Sequence, residues 1–312
     1  MGENYSDIPD NWNEVAMYVK CEDTDFIDIV IESKKIVIYD TCSFRFHSNC
    51  GSQAQDKLIE YFKAEKVVFI LLRSILMELA SIERVINREY VSFLKRISQS
   101  GLTVLVLYEE SLFDILNECF SSQKRAFEYL SWAVRALKQP VSTITNTLKS
   151  DKRLYNQVLE GKYRDGVNVY REFFSAVREN KASGDNLGEE IIAICTNILS
   201  QLPGTRDGKF CVITDDKKGA AAIATLFHRT NHYFAGARII IYSTPRLLQT
   251  MYNIGILKEK EDVLQMLSYH GDSKITIYGT TEYDIDTGEY LSFDIEQFAD
   301  EIMKPNGVNI LF

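Results

Sequence analysis

A chain of 312 residues with 46% apolar and 12% aromatic content is long enough to bury one large core or two smaller ones, which excludes a disordered or fibrous protein. Its net charge of −9 argues against coating nucleic acid by bulk attraction, so any such contact must come from a local patch. Six scattered cysteines without a C-x-x-C pair, a polar acidic opening (MGENYSDIPDNWNE) and no run of about 18 apolar residues set the expectation of a soluble, cytoplasmic protein with reduced thiols and no membrane segment.

Residues 1–35 read as an acidic N-terminal extension, with a short helix over 14–20 and alternation over 25–31 that predicts a strand. Ile36-Val37-Ile38-Tyr39 is a β-prone run delivering Asp40 to its C-terminal edge, followed by a loop over 45–52 that holds His47 and Cys50. A helix over 55–63 leads to a second buried strand, 66–71. Ser74 then serves as the expected N-cap of a helix carrying Glu78 one turn in. The run 101–108 is apolar through its middle, as a central parallel strand should be.

Residues 109–183 form a helical insertion that is also an insertion in charge. Between Ser121 and Lys181 stand twelve basic residues against six acids, a surplus of six that leaves the rest of the chain near −15. Such asymmetry, with Tyr129, Trp132, Tyr155, Tyr163 and Tyr170 interleaved, marks block 121–181 as a candidate surface for single-stranded or structured RNA. The other reading makes the aromatics core and the charges a solvated face.

The turn 182–188 launches a helix over 189–199 that is apolar nearly all round, with Asp185 or Asn186 as its cap and Glu189 and Glu190 at its start. A fourth strand, 209–214, runs into Asp215 and Asp216. A small-residue helix over 219–227, a fifth strand over 238–242 and another helix complete the alternation, which predicts an α/β protein: a three-layer α/β/α sandwich around a parallel sheet, spanning 36–255. Residues 256–312 read as a small α+β appendage, with a hairpin of 275–278 and 290–293 around a turn at 286–288 and a helix over 295–303.

Strand ends in such a sheet bring Asp40, Glu78, Glu189 and Asp216 toward one rim, with Asp185, Glu190 and Asp215 as neighbouring candidates. Unpartnered carboxylates repel one another, and a divalent cation relieves the repulsion; these hard oxygen donors suit Mg²⁺ or Mn²⁺. Each acid also has a plain reading, as a helix or turn cap or, for Glu78, as a partner of Arg45 or Arg73. The ordered pieces Tyr39-Asp40-Thr41, Ser74 to Glu78, Asp185 to Ala193 and Val212 to Asp216 resemble the PIN-domain family of metal-dependent nucleases, over residues 35–253 apart from the helical insertion.

That resemblance implies Mg²⁺- or Mn²⁺-dependent hydrolysis of RNA phosphodiester bonds, with flap-type DNA nucleases as more distant relatives. Asp40, Glu78, Glu189 and Asp216 would bind the metal, and Thr214 would position a carboxylate. Glu190 stands open in place of Glu189, and Asp215 in place of Asp216. The appendage is expected to hold a protein regulator or a second copy, through β-augmentation at 275–278. A toxin or defence effector held off by a partner would combine both roles, and a catalytically silent scaffold is the contrasting expectation. His228 and His232, four apart, read as surface or core histidines, and His47 as a loop histidine with no role, the other reading being contact with substrate phosphate. The sequence lacks a phosphate-binding P-loop, a dinucleotide fingerprint and a nucleophile elbow.

Overall fold

The computed structural model describes residues 8–21, 25–137, 142–163, 167–182, 184–231, 233–234, 236–268, 274–281, 288–305 and 307–312. Five short apolar runs become the strands of one sheet: β1 (Lys35–Tyr39), β2 (Val67–Leu72), β3 (Thr103–Leu107), β4 (Phe210–Ile213) and β5 (Ile240–Tyr242). All pairings are parallel and the order is β3-β2-β1-β4-β5, with Ile38 of β1 in register with Ile70 on one side and Val212 on the other. These strands are apolar on both faces because helices cover both. By the right-handed rule for parallel crossovers, helices Thr41–Asn49, Ser52–Ala64 and Arg88–Gln99 fall on one face and Leu187–Leu199 and Lys217–Thr230 on the other.

The order reverses between β1 and β4. The chain steps outward from β1 to β3, then returns to lay β4 on the opposite side of β1. At such a switch point the loops leave in opposite directions and open a crevice beyond the carboxyl ends of the strands. Asp40 follows β1 directly, and Asp216 stands three residues past β4.

The return path is the insertion, with helices Leu112–Phe120, Gln123–Ala136, Thr143–Ser150, Lys152–Glu160 and Val169–Glu179. Phe127, Leu130, Tyr170, Phe173 and Phe174 give it an apolar core, and the fully buried Tyr170 hydroxyl donates to the Ala126 carbonyl at 2.6 Å. The appendage forms a second sheet, with β6 (Lys274–Thr280) between β7 (Glu289–Asp294) and β8 (Asn309–Ile310), all antiparallel. It packs on the Thr244–Asn253 helix, where Ile310 N–H donates to the Gln249 side chain at 3.0 Å and the Tyr252 hydroxyl to the Met303 carbonyl at 3.2 Å.

Several local expectations are corrected. Residues 25–31 are helical (Phe26–Glu32), because the two buried side chains, Phe26 and Val30, are four apart. The expected loop at 45–52 is largely the Thr41–Asn49 helix, with Phe44, His47 and Ser48 turned inward. Ser74 is not the cap of its helix, which begins at Arg73 after extended Leu72; the Ser74 N–H instead donates to Glu109 Oε1 at 2.7 Å. Strand β6 lies between β7 and β8, but β8 pairs only with Gly279 and Thr280; the alternating Ile275 and Ile277 are buried in this chain's own core. The hairpin turn at 286–288 lies, apart from Gly288, outside the described residues. At the other sheet's margin, Lys20 pairs with β3: its N–H donates to Val104, and the Val106 N–H donates back to its carbonyl, both at 2.8 Å. The N-terminal extension thus covers backbone groups that an edge strand would expose.

Candidate active site

Asp40 adopts extended backbone after β1 and caps the Thr41–Asn49 helix, Oδ1 accepting from the Thr41 N–H at 2.7 Å. Its Oδ2 accepts from the Thr214 hydroxyl at 2.8 Å and the Cys42 thiol at 2.9 Å. Thr214 thereby ties the end of β4 to the end of β1, the positioning role expected of it. Burial raises the Asp40 carboxyl above its ordinary range; the three donors oppose that shift and the negative charge of Glu78 adds to it. Asp216 caps the Lys217–Thr230 helix in the same manner, with Oδ1 accepting from the Lys218 and Gly219 N–H groups at 2.7 and 3.2 Å. Capping and rim placement therefore coexist in both aspartates.

Glu78 projects from the Arg73–Leu79 helix. Its Oε2 accepts from the Thr41 hydroxyl at 2.6 Å and its Oε1 from the Lys181 ammonium at 2.7 Å. Lys181 also reaches Asp185 Oδ1 at 3.0 Å, so one cation holds two acids together. Burial alone would lower the Lys181 pKa, but Glu78 and Asp185 outweigh it and raise it. Asp185 runs the other way: burial pushes its carboxyl up, and the Ala182 N–H, Lys181 and Thr143 bring it below the ordinary range. Arg45 does approach Glu78, but through the backbone carbonyl at 2.6 Å, while Arg73 turns to Glu110 at 2.7 Å.

Glu189 lies in the first turn of the Leu187–Leu199 helix. Its carboxyl is pushed up to about 7, by burial first and then by the negative charges of Asp40, Glu78 and Asp216, against the opposing pull of its own backbone N–H. The acids expected as the metal-binding quartet thus share one electrostatic neighbourhood. Two glycines admit them. A Cβ on Gly188 would stand 2.7 Å from Glu78 Oε1, and one on Gly219 would stand 2.8 Å from Glu189 Cγ. Lys181, Gly188 and Gly219 were not anticipated as site residues. The Leu-Gly-Glu-Glu and Asp-Lys-Lys-Gly stretches carried the signal for the glycines, but nothing local marks Lys181.

The alternative acids face elsewhere. Asp215 is locked under the rim, accepting from Ser43 at 2.6 Å and from the Thr244 N–H and hydroxyl at 2.6 and 2.7 Å. Glu190 is wholly buried beneath the insertion, where Oε2 accepts from the Ile144 N–H at 3.1 Å; burial raises its carboxyl against Ser142 and Ile144. His47 is buried rather than poised for phosphate, between the Tyr39 hydroxyl at 2.8 Å and the Thr244 hydroxyl at 3.0 Å. His228 is exposed on its helix, and His232 lies outside the described residues.

Among the described residues, no three His, Cys, Asp or Glu side chains stand together as a ready-made metal cage. The rim instead offers separated carboxylates, a neighbouring hydroxyl, and a Glu189 carboxyl pushed up to about 7 by burial first and by the surrounding negative charges second. That set fits a hard divalent cation that keeps several waters and touches only one or two carboxylates, which is the habit of Mg²⁺.

The basic block is partly committed to structure. Arg178 is buried against Glu109 and Glu110 at 3.1 and 3.2 Å, and Lys181 belongs to the rim. Lys124, Arg125, Arg135, Lys149, Lys152, Arg153, Lys162 and Arg171 are exposed, while Lys138 and Arg164 lie outside the described residues. Of the aromatics, Tyr170 is buried, Tyr129, Trp132 and Tyr163 are half-buried and Tyr155 is exposed; Tyr163 packs on Phe127 with ring centroids 3.7 Å apart, and Trp132 stacks on the exposed Tyr233 at 3.9 Å. No protein-family model, curated protein or solved structure matches this chain.

Proposed function

We propose that this chain is a metal-dependent nuclease that hydrolyses RNA phosphodiester bonds at the β1/β4 rim. The observation that carries the reading is the mutual electrostatic field of Asp40, Glu78, Glu189 and Asp216, four acids from four segments at the sheet's switch point. A fold that keeps such repulsion without using it loses stability for nothing. Of Asp40, Glu78, Glu189 and Asp216, one or two would bind Mg²⁺ or Mn²⁺ directly and the others through its waters; when bound, the ion supplies charge neutralisation at the scissile phosphate and a more acidic attacking water. Thr214 and Thr41 fix the orientation of Asp40 and Glu78, and Lys181 keeps Glu78 and Asp185 in place while adding positive charge beside an anionic substrate. The exposed bases of the insertion would track the strand through its phosphates.

Asp40→Asn tests this. Asparagine keeps the capping oxygen but removes the charge, so cutting of end-labelled RNA with Mn²⁺ or Mg²⁺ should fall by at least about a hundredfold, beyond the usual cost of disturbing a group that merely supports a metal ligand, while the melting temperature moves by only a few degrees. Undiminished cutting by the variant would remove the rim from the mechanism. Running single-stranded DNA beside RNA identifies the substrate class.

A silent scaffold is the second reading, and Lys181 is what favours it, because an internal ammonium already neutralises part of the acidic cluster. It requires that no divalent ion stimulate cleavage of either nucleic acid by the wild-type protein.

A further inference from the structure

Beside the rim, two adjoining cavities of about 240 and 440 Å³ share Lys217 and Phe312 in their walls. The smaller opens next to Asp215 and Lys274. The larger runs between a flat floor of small residues on the Lys217–Thr230 helix (Ala220, Ala221, Ala224) and the tyrosines of the C-terminal sheet, Tyr278 and Tyr290. Those two rings are cross-strand partners with centroids 5.3 Å apart, yet Tyr290 remains 67% exposed. The Lys217 ammonium stands 5.2 Å from the centre of the Tyr290 ring. Arg246 and Lys274 add two more cations to these walls, and among the described residues lining them the one acid, Asp215, has its oxygens taken by Ser43 and Thr244.

We propose that this groove seats an unpaired nucleobase of the strand, stacked against Tyr290, with the adjoining phosphate on Lys217. The proposal rests on the nuclease reading and names how that site engages its substrate. Flat apolar walls with aromatic faces suit a planar π-system, and cations that meet no free carboxylate among the described lining residues suit the anionic backbone attached to it. A neutral or basic peptide satisfies the first condition but not the second. Position supplies the link to the chemistry: Lys217 directly follows Asp216, so a phosphate held by Lys217 lies beside the acidic rim. The appendage thereby becomes part of the substrate path rather than a separate docking unit.

The test is fluorescence anisotropy with a labelled twelve-nucleotide oligoadenylate RNA and a matched oligomer bearing abasic positions, in EDTA so that nothing is cut. The wild type should bind the base-bearing strand about tenfold more tightly than the abasic one, the usual scale of one base stacked on an aromatic side chain. Tyr290→Ala should erase that difference and leave abasic binding unchanged; Tyr290→Phe should restore it. The exposed position of Tyr290 leaves the fold intact, which a melting curve verifies. Retained preference in Tyr290→Ala, equal loss on both strands, or no binding by the wild type overturns the groove. Cleavage by the same proteins with Mn²⁺ is scored separately. Metal-dependent cutting beside Tyr290-independent binding overturns the groove alone, whereas Tyr290-dependent binding without cutting keeps the groove and overturns the nuclease.

Discussion

Gly188 carries a sharper constraint than any single acid at the rim. It sits in the first turn of a helix, where alanine is ordinarily favoured by about 0.5–1 kcal/mol, yet a methyl there would press on both Glu78 oxygens. Gly188→Ala should therefore leave the unfolding midpoint unchanged or raise it slightly while lowering metal-dependent cleavage, because Glu78 must leave Thr41 and Lys181 to make room. Parallel loss of stability and activity would assign the glycine to packing instead. His47 makes a prediction of another kind. Burial, against the opposing charge of Asp215, lowers its pKa from 6.5 to about 4, so the imidazole stays neutral in the fold. The unfolded chain then takes up the proton first: stability is complete above about pH 6.5 and is lost as pH falls toward 4, by about 3 kcal/mol for this one group. Urea unfolding at pH 7 and pH 4.5 should show that loss in the wild type and a smaller one in His47→Gln; an identical pH slope in both would place its source elsewhere.

A buried charged cluster fastens the insertion to the sheet. Glu109, with no exposed surface, accepts the Ser74 N–H on one oxygen and faces Arg178 at 3.1 Å and Arg73 at 3.7 Å on the other. Thus the start of the Glu78 helix is held by a residue after β3, and that residue by the last turn of the Val169–Glu179 helix. Removing one partner of a buried pair strands the other, so Arg178→Met should cost about 3–5 kcal/mol in denaturant unfolding, with part of it recovered when Glu109→Gln is added. A loss below about 1 kcal/mol would mean that the pair is no anchor. The same contacts explain which elements were readable beforehand. Strands β1 to β4 announce themselves as apolar runs between polar boundaries, and the acids after β1 and β4 follow from them. The helix at 26–32 carries a strand-like pattern because Ile27, Ile29 and Ile31 imitate a strand's alternation while Phe26 and Val30 do the packing. Lys181 and Glu78 lie 103 positions apart, and only the folded insertion brings them within 2.7 Å.

Across the molecule, the parallel sandwich follows from the succession of strands and helices, but the strand order that brings the β1 and β4 carboxylates together does not. Local pattern names the elements; which neighbour β4 chooses depends on the whole return path. Likewise β8, two residues long, carries no periodicity of its own, and its pairing with Gly279 and Thr280 closes the appendage. The return path has a further consequence during synthesis. β3 ends at Leu107 and β4 begins at Phe210, so β1, buried on both faces in the finished sheet, has no partner on its β4 side until about a hundred more residues have been made. At a ribosomal pace of roughly 5–20 residues per second, that is about 5–20 seconds in which a nascent three-stranded sheet presents an open apolar edge. The helical insertion is the segment that emerges during this interval, which makes it the first part of the chain able to shield that edge before the rim exists.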